Sequence, residues 1–162
     1  MKRSTDRILT SHCGSLPRPR ELLVPLHAKD SGAAQGTDEL AQRVRASVAQ
    51  VVRKQADLAI DVVNDGEHSK SSFAHYARTR IGGLERTNEQ LRYRASPTRD
   101  ALAFPGVYEE MRVMFDARTQ KTGRPRSMTS MICTGPIKYI GHAELKADIE
   151  NLKRALDGVD VE

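Results

Sequence analysis

Three short stretches of this chain combine residue types that can do chemistry: SHCGS at 11–15, NDGE at 64–67 and CTGP at 133–136. In NDGE a carboxylate stands just past the apolar run AIDVV, and Gly66 permits a tight turn. That placement suits Glu67, ahead of Asp65, to bind an ammonium group or act as a base. The same residues also read as a turn with solvated acids. In SHCGS, His12 and Cys13 are metal-competent types. Adjacent side chains on a strand point to opposite faces, however, and no further ligands stand at zinc spacing. A Cys13 nucleophile activated by His12 fails on the same geometry. Gly14 and Ser15 instead suit a backbone-and-hydroxyl cradle for the polar end of a small substrate.

Other residues read less sharply. His68 and His75 fall at the start of a helix and along it, where either one of them faces the pocket or, by default, both take surface positions. Cys133 either borders a ligand or is a buried structural thiol. Arg78, Arg80, Arg86, Arg92, Arg94 and Arg99 either meet an anionic substrate or form a solvated face.

The elements that must position these residues follow from periodicity. DRILTSHCGS predicts a strand running into a loop at Gly14, and Pro17, Pro19 and Pro25 then argue against regular helix. From Asp38 to Leu58, apolar residues at Leu40, Val44, Val48, Val51, Val52 and Leu58 form a helical stripe, capped by Thr37 or Asp38. AIDVVND predicts a fully buried strand of a parallel sheet, and SSFAHYARTRI a helix stopped by Gly82-Gly83. An irregular excursion follows at about 84–126, with one helix near VYEEMRVMFDART. SMTSMICTG predicts a third strand ending in a Gly-Pro turn. The last helix has Leu145, Ile149, Leu152 and Leu156 on one face and a Glu150–Arg154 pair on another. Repeated βα units imply an α/β fold with its chemistry at the strand C-termini, as in (β/α) barrels.

Composition sets bounds on function. The chain has 162 residues, 38% apolar, 29% charged and 4% aromatic, within the globular range and enough for one core. No apolar run spans a bilayer and no signal-peptide core follows MKRSTDR, so a cytoplasmic protein without a membrane partner is expected. Two distant cysteines make no disulfide framework. The net charge of +5 is scattered, with no nucleic-acid-binding pattern.

Taken together, TSHCGSLPRP, VVRKQADLAIDVVNDGEHSKSSFAHY and CTGPIKYIGHAELKADIENLKRAL resemble the catalytic half of cobalamin-independent methionine synthase and its shorter single-domain relatives. Order and spacing match over nearly the whole chain except the irregular excursion. The resemblance implies a (β/α)8 TIM barrel that moves a methyl group from 5-methyltetrahydrofolate (polyglutamate) to the zinc-bound thiolate of homocysteine. By the same resemblance, Gly14 and Ser15 match the loop that holds the amino-acid substrate. Glu67 matches the carboxylate that binds its ammonium group, with His12 and Asp65 as neighbours. The segment 134–137 corresponds to a strand end near the folate site. Met131 and Ile132 stand where methionine synthases carry an Arg and a Cys.

In that family the zinc ligands, a His-x-Cys pair, a Glu and a second Cys, lie in later strands, and this chain ends at GVDVE. The expectation is therefore a single domain over 1–162 covering about the first three βα units of a barrel of about 250 residues. It would hold no metal ligand or catalytic residue of its own and would be inactive alone. A homo-oligomer or a partner chain would complete the barrel. Two alternatives remain. One is zinc-dependent alkyl transfer to another thiol, as in epoxide-opening coenzyme M transferases, which Met131 would suit. The other is a non-catalytic truncated binding or assembly module whose open sheet edge needs cover.

Overall fold

The computed structural model describes residues 3–33, 37–87, 98–122 and 130–161. The elements run α1 (Arg20–Ser31), α2 (Asp38–Asp57), α3 (Phe73–Arg80), β1 (Ile81–Thr87), α4 (Arg99–Ala103), α5 (Pro105–Thr122), β2 (Ser130–Tyr139) and α6 (His142–Ala155). They group into two units. One comprises Met1–Gly82 with Lys138–Glu162, and the other Gly83–Ile137.

The core of the first unit grows from α2. Thr37 caps it by accepting a hydrogen bond from the Leu40 amide at 3.1 Å. The apolar stripe buries Leu40, Val44, Val48, Val51 and Val52. Leu22 and Leu26 of α1, Val63 and Ala155 of α6 close the cluster. Leu58, expected to end the stripe, lies beyond the helix and is 67% exposed.

Helix α1 corrects the expectation that prolines keep this region irregular. Pro19 takes the N-cap with φ −58° and ψ 146°, a position that needs no helical geometry. Pro25 lies inside the helix and cannot donate to the Glu21 carbonyl one turn back. Arg43 of α2 donates to that carbonyl at 3.3 Å, so the freed acceptor keeps a partner.

The first two expected strands are reduced to extended segments joined by one parallel bridge between Ser11 and Val62. The Val62 amide donates to the Thr10 carbonyl at 3.1 Å. The direction is that of neighbouring strands in a βα sheet. Burial on both faces does not hold: Val63 is 7% exposed against α2, whereas Val62 is 36% exposed on the other face. Asp61 anchors the pair, accepting hydrogen bonds from Arg7, the Thr10 amide and the Thr10 hydroxyl. These bonds, the Arg7 guanidinium first, hold its carboxyl well below the usual carboxylate range.

Four further expectations change. Helix α3, capped by Ser72 on the His75 amide, does not stop at Gly82-Gly83 but passes straight into β1. Gly83, at φ +84°, serves close approach instead: a Cβ there would lie 2.7 Å from the Gly135 carbonyl oxygen. Strand β2 likewise runs through Gly135-Pro136 without a turn. The β1–β2 pair is antiparallel, because Arg80 meets Ile140, Gly82 meets Lys138 and Gly83 meets Pro136. On α6, Glu150 reaches Lys146 at 4.0 Å rather than Arg154, in keeping with side chains that lean toward the helix N-terminus. Leu152 and Leu156 pack on the core, while Leu145 and Ile149 stay 39% and 46% exposed.

Candidate functional site

Two loops of the first unit, residues 11–18 and 64–70, follow the bridged segments and are tied to each other by their backbones. The Leu16 amide donates to the Gly66 carbonyl at 3.0 Å. The Asn64 side chain donates to the His12 carbonyl at 2.8 Å and accepts from the Gly66 amide at 2.9 Å. From beneath, the buried Gln55 of α2 donates to the Asn64 carbonyl at 2.8 Å and accepts from its amide at 3.2 Å. Its carboxamide thus acts as a neighbouring strand would. SHCGS and NDGE, distant in sequence, form one constellation.

Within it Glu67 has φ +56°, a left-handed conformation unusual for a residue with a side chain. Both of its peptide groups are held. The amide donates to the Asp65 carboxylate at 3.0 Å, and the carbonyl accepts from the Lys70 amide at 3.1 Å and from Arg18 Nη1 at 3.0 Å. The Glu67 carboxylate itself makes no hydrogen bond or ion pair among the described residues and is half-buried. Gly14, at φ +86°, and Ser15 are exposed on the facing loop. Asp65 is otherwise engaged: besides capping the turn, it lies 3.7 Å from Lys70 Nζ. Lys70 sits over the Tyr76 ring, 4.6 Å from its centroid, and 3.9 Å from Asp148 of α6.

His68 departs from the surface position expected of it. It is 3% exposed, and its Nδ1 shares a hydrogen bond with Ser47 Oγ of α2 at 2.7 Å. Its Nε2 is buried with no partner among the described residues, as is Nε2 of His12. Burial first, and the nearby Arg18 charge second, push the His68 pKa below its ordinary value, with Asp65 opposing. The imidazole is thereby kept neutral beneath the turn. A Cβ on Gly66 would lie 3.0 Å from the His68 ring and 3.1 Å from Leu16 Cβ, so a larger residue requires these neighbours to give by a few tenths of an ångström.

The remaining candidates separate from this site. His75 pairs with Asp30 at 2.9 Å. Arg80 is buried, bonded to Asp148 at 3.2 Å and stacked 4.0 Å over Tyr76, so it belongs neither to a solvated face nor to a substrate patch. Arg92 and Arg94 lie outside the described residues. Cys133 is exposed, which removes the buried-thiol reading, and it belongs with residues 134–137 to the second unit. Among the described residues no three His, Cys, Asp or Glu side chains are grouped to hold a metal ion, so the zinc of the resembled family has no fitting ligand set there. An open groove of about 590 Å³ between α1 and α2, walled by Val24, Pro25, Leu40 and Arg43, includes none of the loop residues. Among the described residues no helix is long and apolar enough to cross a membrane.

The sequence singles out Glu67, Gly14 and Ser15 as candidates; the structure adds Arg18, Gln55, Ser47 and the burial of His68 as parts of the same loop constellation. A polar residue such as Ser47 or Gln55 within an otherwise apolar helical stripe was the available signal. No curated protein and no solved structure gives a significant match to the chain. The family model described as cobalamin-independent synthase, catalytic domain, matches residues 8–161 and so takes in both loops. With nearly its full length matched, the chain belongs to the cobalamin-independent synthase catalytic-domain family.

Proposed function

We propose that the paired loops bind the amino-acid end of a thiol substrate, homocysteine, for the methyl transfer that is the family's general chemistry. The observation that carries this reading is the state of Glu67. Its backbone is fastened on both sides while its carboxylate is uncommitted among the described residues. A carboxylate so placed makes charge-assisted hydrogen bonds to an ammonium group. Across the gap, the Ser15 hydroxyl and the exposed backbone at Gly14 receive the substrate carboxylate. Asp65 holds Glu67 in place and is not itself the ammonium ligand, because the Glu67 amide and Lys70 already engage it.

The reading assigns binding to this chain and leaves thiol activation elsewhere. A thiol needs a neighbouring metal or cation to become a thiolate at neutral pH. Among the described residues no metal-ligand group stands at the loops, and the role assigned to the loops here is binding. Residues for the activation step, and for the methyltetrahydrofolate donor, lie outside the two loops in this reading. In this reading the two loops bind the substrate in a cytoplasmic setting.

Calorimetric titration of the full chain with L-homocysteine tests the proposal. Glu67→Gln, which keeps the shape and removes the charge, is expected to weaken binding at least tenfold. This is about the 1.4 kcal/mol lower range for a charged hydrogen bond. Equal affinity for the variant and the wild type would contradict it.

A further inference from the structure

We infer that Arg18 is a positioning residue for Glu67, setting the affinity and amine selectivity of the site without touching the ligand. The inference rests on the ammonium-cradle reading and goes beyond it, to a residue in neither NDGE nor SHCGS. Arg18 is the last residue of the first loop, and one guanidinium nitrogen, Nη1, reaches across to the second. It donates to the Glu67 carbonyl at 3.0 Å and to the Lys70 carbonyl at 2.9 Å. These carbonyls are the first and last of the turn that begins at Glu67, a turn closed by the Lys70 amide on the Glu67 carbonyl at 3.1 Å. A single cationic donor therefore spans the turn from end to end.

The turn needs such a fastening. A residue with a side chain at φ +56° is strained, and it stays there only where its surroundings over-determine it. Asp65 restrains the amide side and Arg18 the carbonyl side. Relaxing Glu67 to negative φ would redirect its carboxylate. Arg18 is half-buried, so its hydrogen bonds to the carbonyls are shielded from competing water. Its charge also disfavours protonation of His68 beneath the same turn. One side chain thus fixes the geometry of the turn and helps keep its floor neutral.

The test compares wild type, Arg18→Met and Arg18→Lys in the full chain. Each is titrated with L-homocysteine and with its des-amino analogue 4-sulfanylbutanoic acid, and the amide resonances of residues 64–70 are followed by NMR. Arg18→Met, which keeps the length but donates nothing, is expected to move the Glu67 and Lys70 resonances. It should also lower L-homocysteine affinity about tenfold and leave the weak des-amino affinity unchanged. Arg18→Lys, with one compact donor group, should fall between. A merely structural role would weaken both ligands alike or neither.

Unchanged Glu67 resonances together with amine selectivity within twofold of wild type overturn the inference. Should Arg18→Met lose its folded spectrum, the same criteria apply to Arg18→Lys. A wild type that fails to prefer the amine overturns the cradle reading instead. The Glu67 resonances of the variants then still judge whether Arg18 holds the turn.

Discussion

At the scale of the residue, the site depends on two adjacent left-handed positions, Gly66 at φ +60° and Glu67 at φ +56°. Glycine tolerates such a conformation freely, and glutamate does not. The contrast tells a backbone requirement from a side-chain requirement. A Cβ on Gly66 would stand tightly against the His68 ring and Leu16, at 3.0 and 3.1 Å, so Gly66→Ala combines positive φ with tight packing. It is expected to destabilise the protein by about 1–3 kcal/mol, read from the midpoint of urea unfolding. A midpoint shift of less than a few tenths of a molar would show that the turn yields more easily than its packing implies. This part of the site was legible in the sequence: a glycine before a carboxylate at the end of an apolar run marks a turn that presents an acid. The identity of the turn's fastenings was not. Arg18 and Asn64 act through backbone carbonyls and amides distant in sequence, and such bonds leave no local pattern.

At the scale of the element, α2 does more than fill the core. Its stripe carries Ser47 and Gln55 among the valines, and these two reach up to His68 and Asn64. A helix read only for apolar periodicity supplies the right face and conceals the polar contacts that orient the loop above it. The proline reading of α1 failed for a similar reason: the acceptor freed by Pro25 is satisfied from α2 by Arg43, a tertiary contact that local propensity cannot anticipate.

The α2–His68 contact has a pH signature. The folded pKa of His68 lies below the ordinary value of about 6.5. As pH falls past that value, the unfolded chain takes up a proton that the folded chain resists. Stability is therefore full above about pH 6.5 and declines below it. In His68→Gln the slope of unfolding free energy between pH 7 and 5 should be shallower than in wild type. Asp61, whose folded pKa is depressed, contributes stability that is present above its unfolded value of about 4 and lost as pH falls further. That acid limb should remain in the His68 variant. Equal slopes from pH 7 to 5 would mean that His68 is not held neutral.

At the scale of the whole molecule, family membership was legible in three motifs that all lie within the stretch the family model matches, residues 8–161. The extent of sheet was not. Hydrophobic runs such as AIDVV predict strands buried on both faces, yet parallel strands need neighbours and cover on both sides. Here one bridge joins two extended segments, α2 covers a single face, and Ile8 is 86% exposed. The antiparallel β1–β2 pair likewise involves residues far apart in sequence, whose pairing no local pattern announces. What the first unit retains is the end of the bridged segments where the two loops meet.

The most direct measurement of the account is a proton–nitrogen NMR titration of the full chain with L-homocysteine, repeated with 4-sulfanylbutanoic acid. The account predicts saturable shifts at the amides of Gly14, Ser15, Gly66 and Glu67 with the amino acid, and none of comparable size with the analogue that lacks the amine. Equal responses to both ligands, or shifts confined to the groove between α1 and α2, would contradict it.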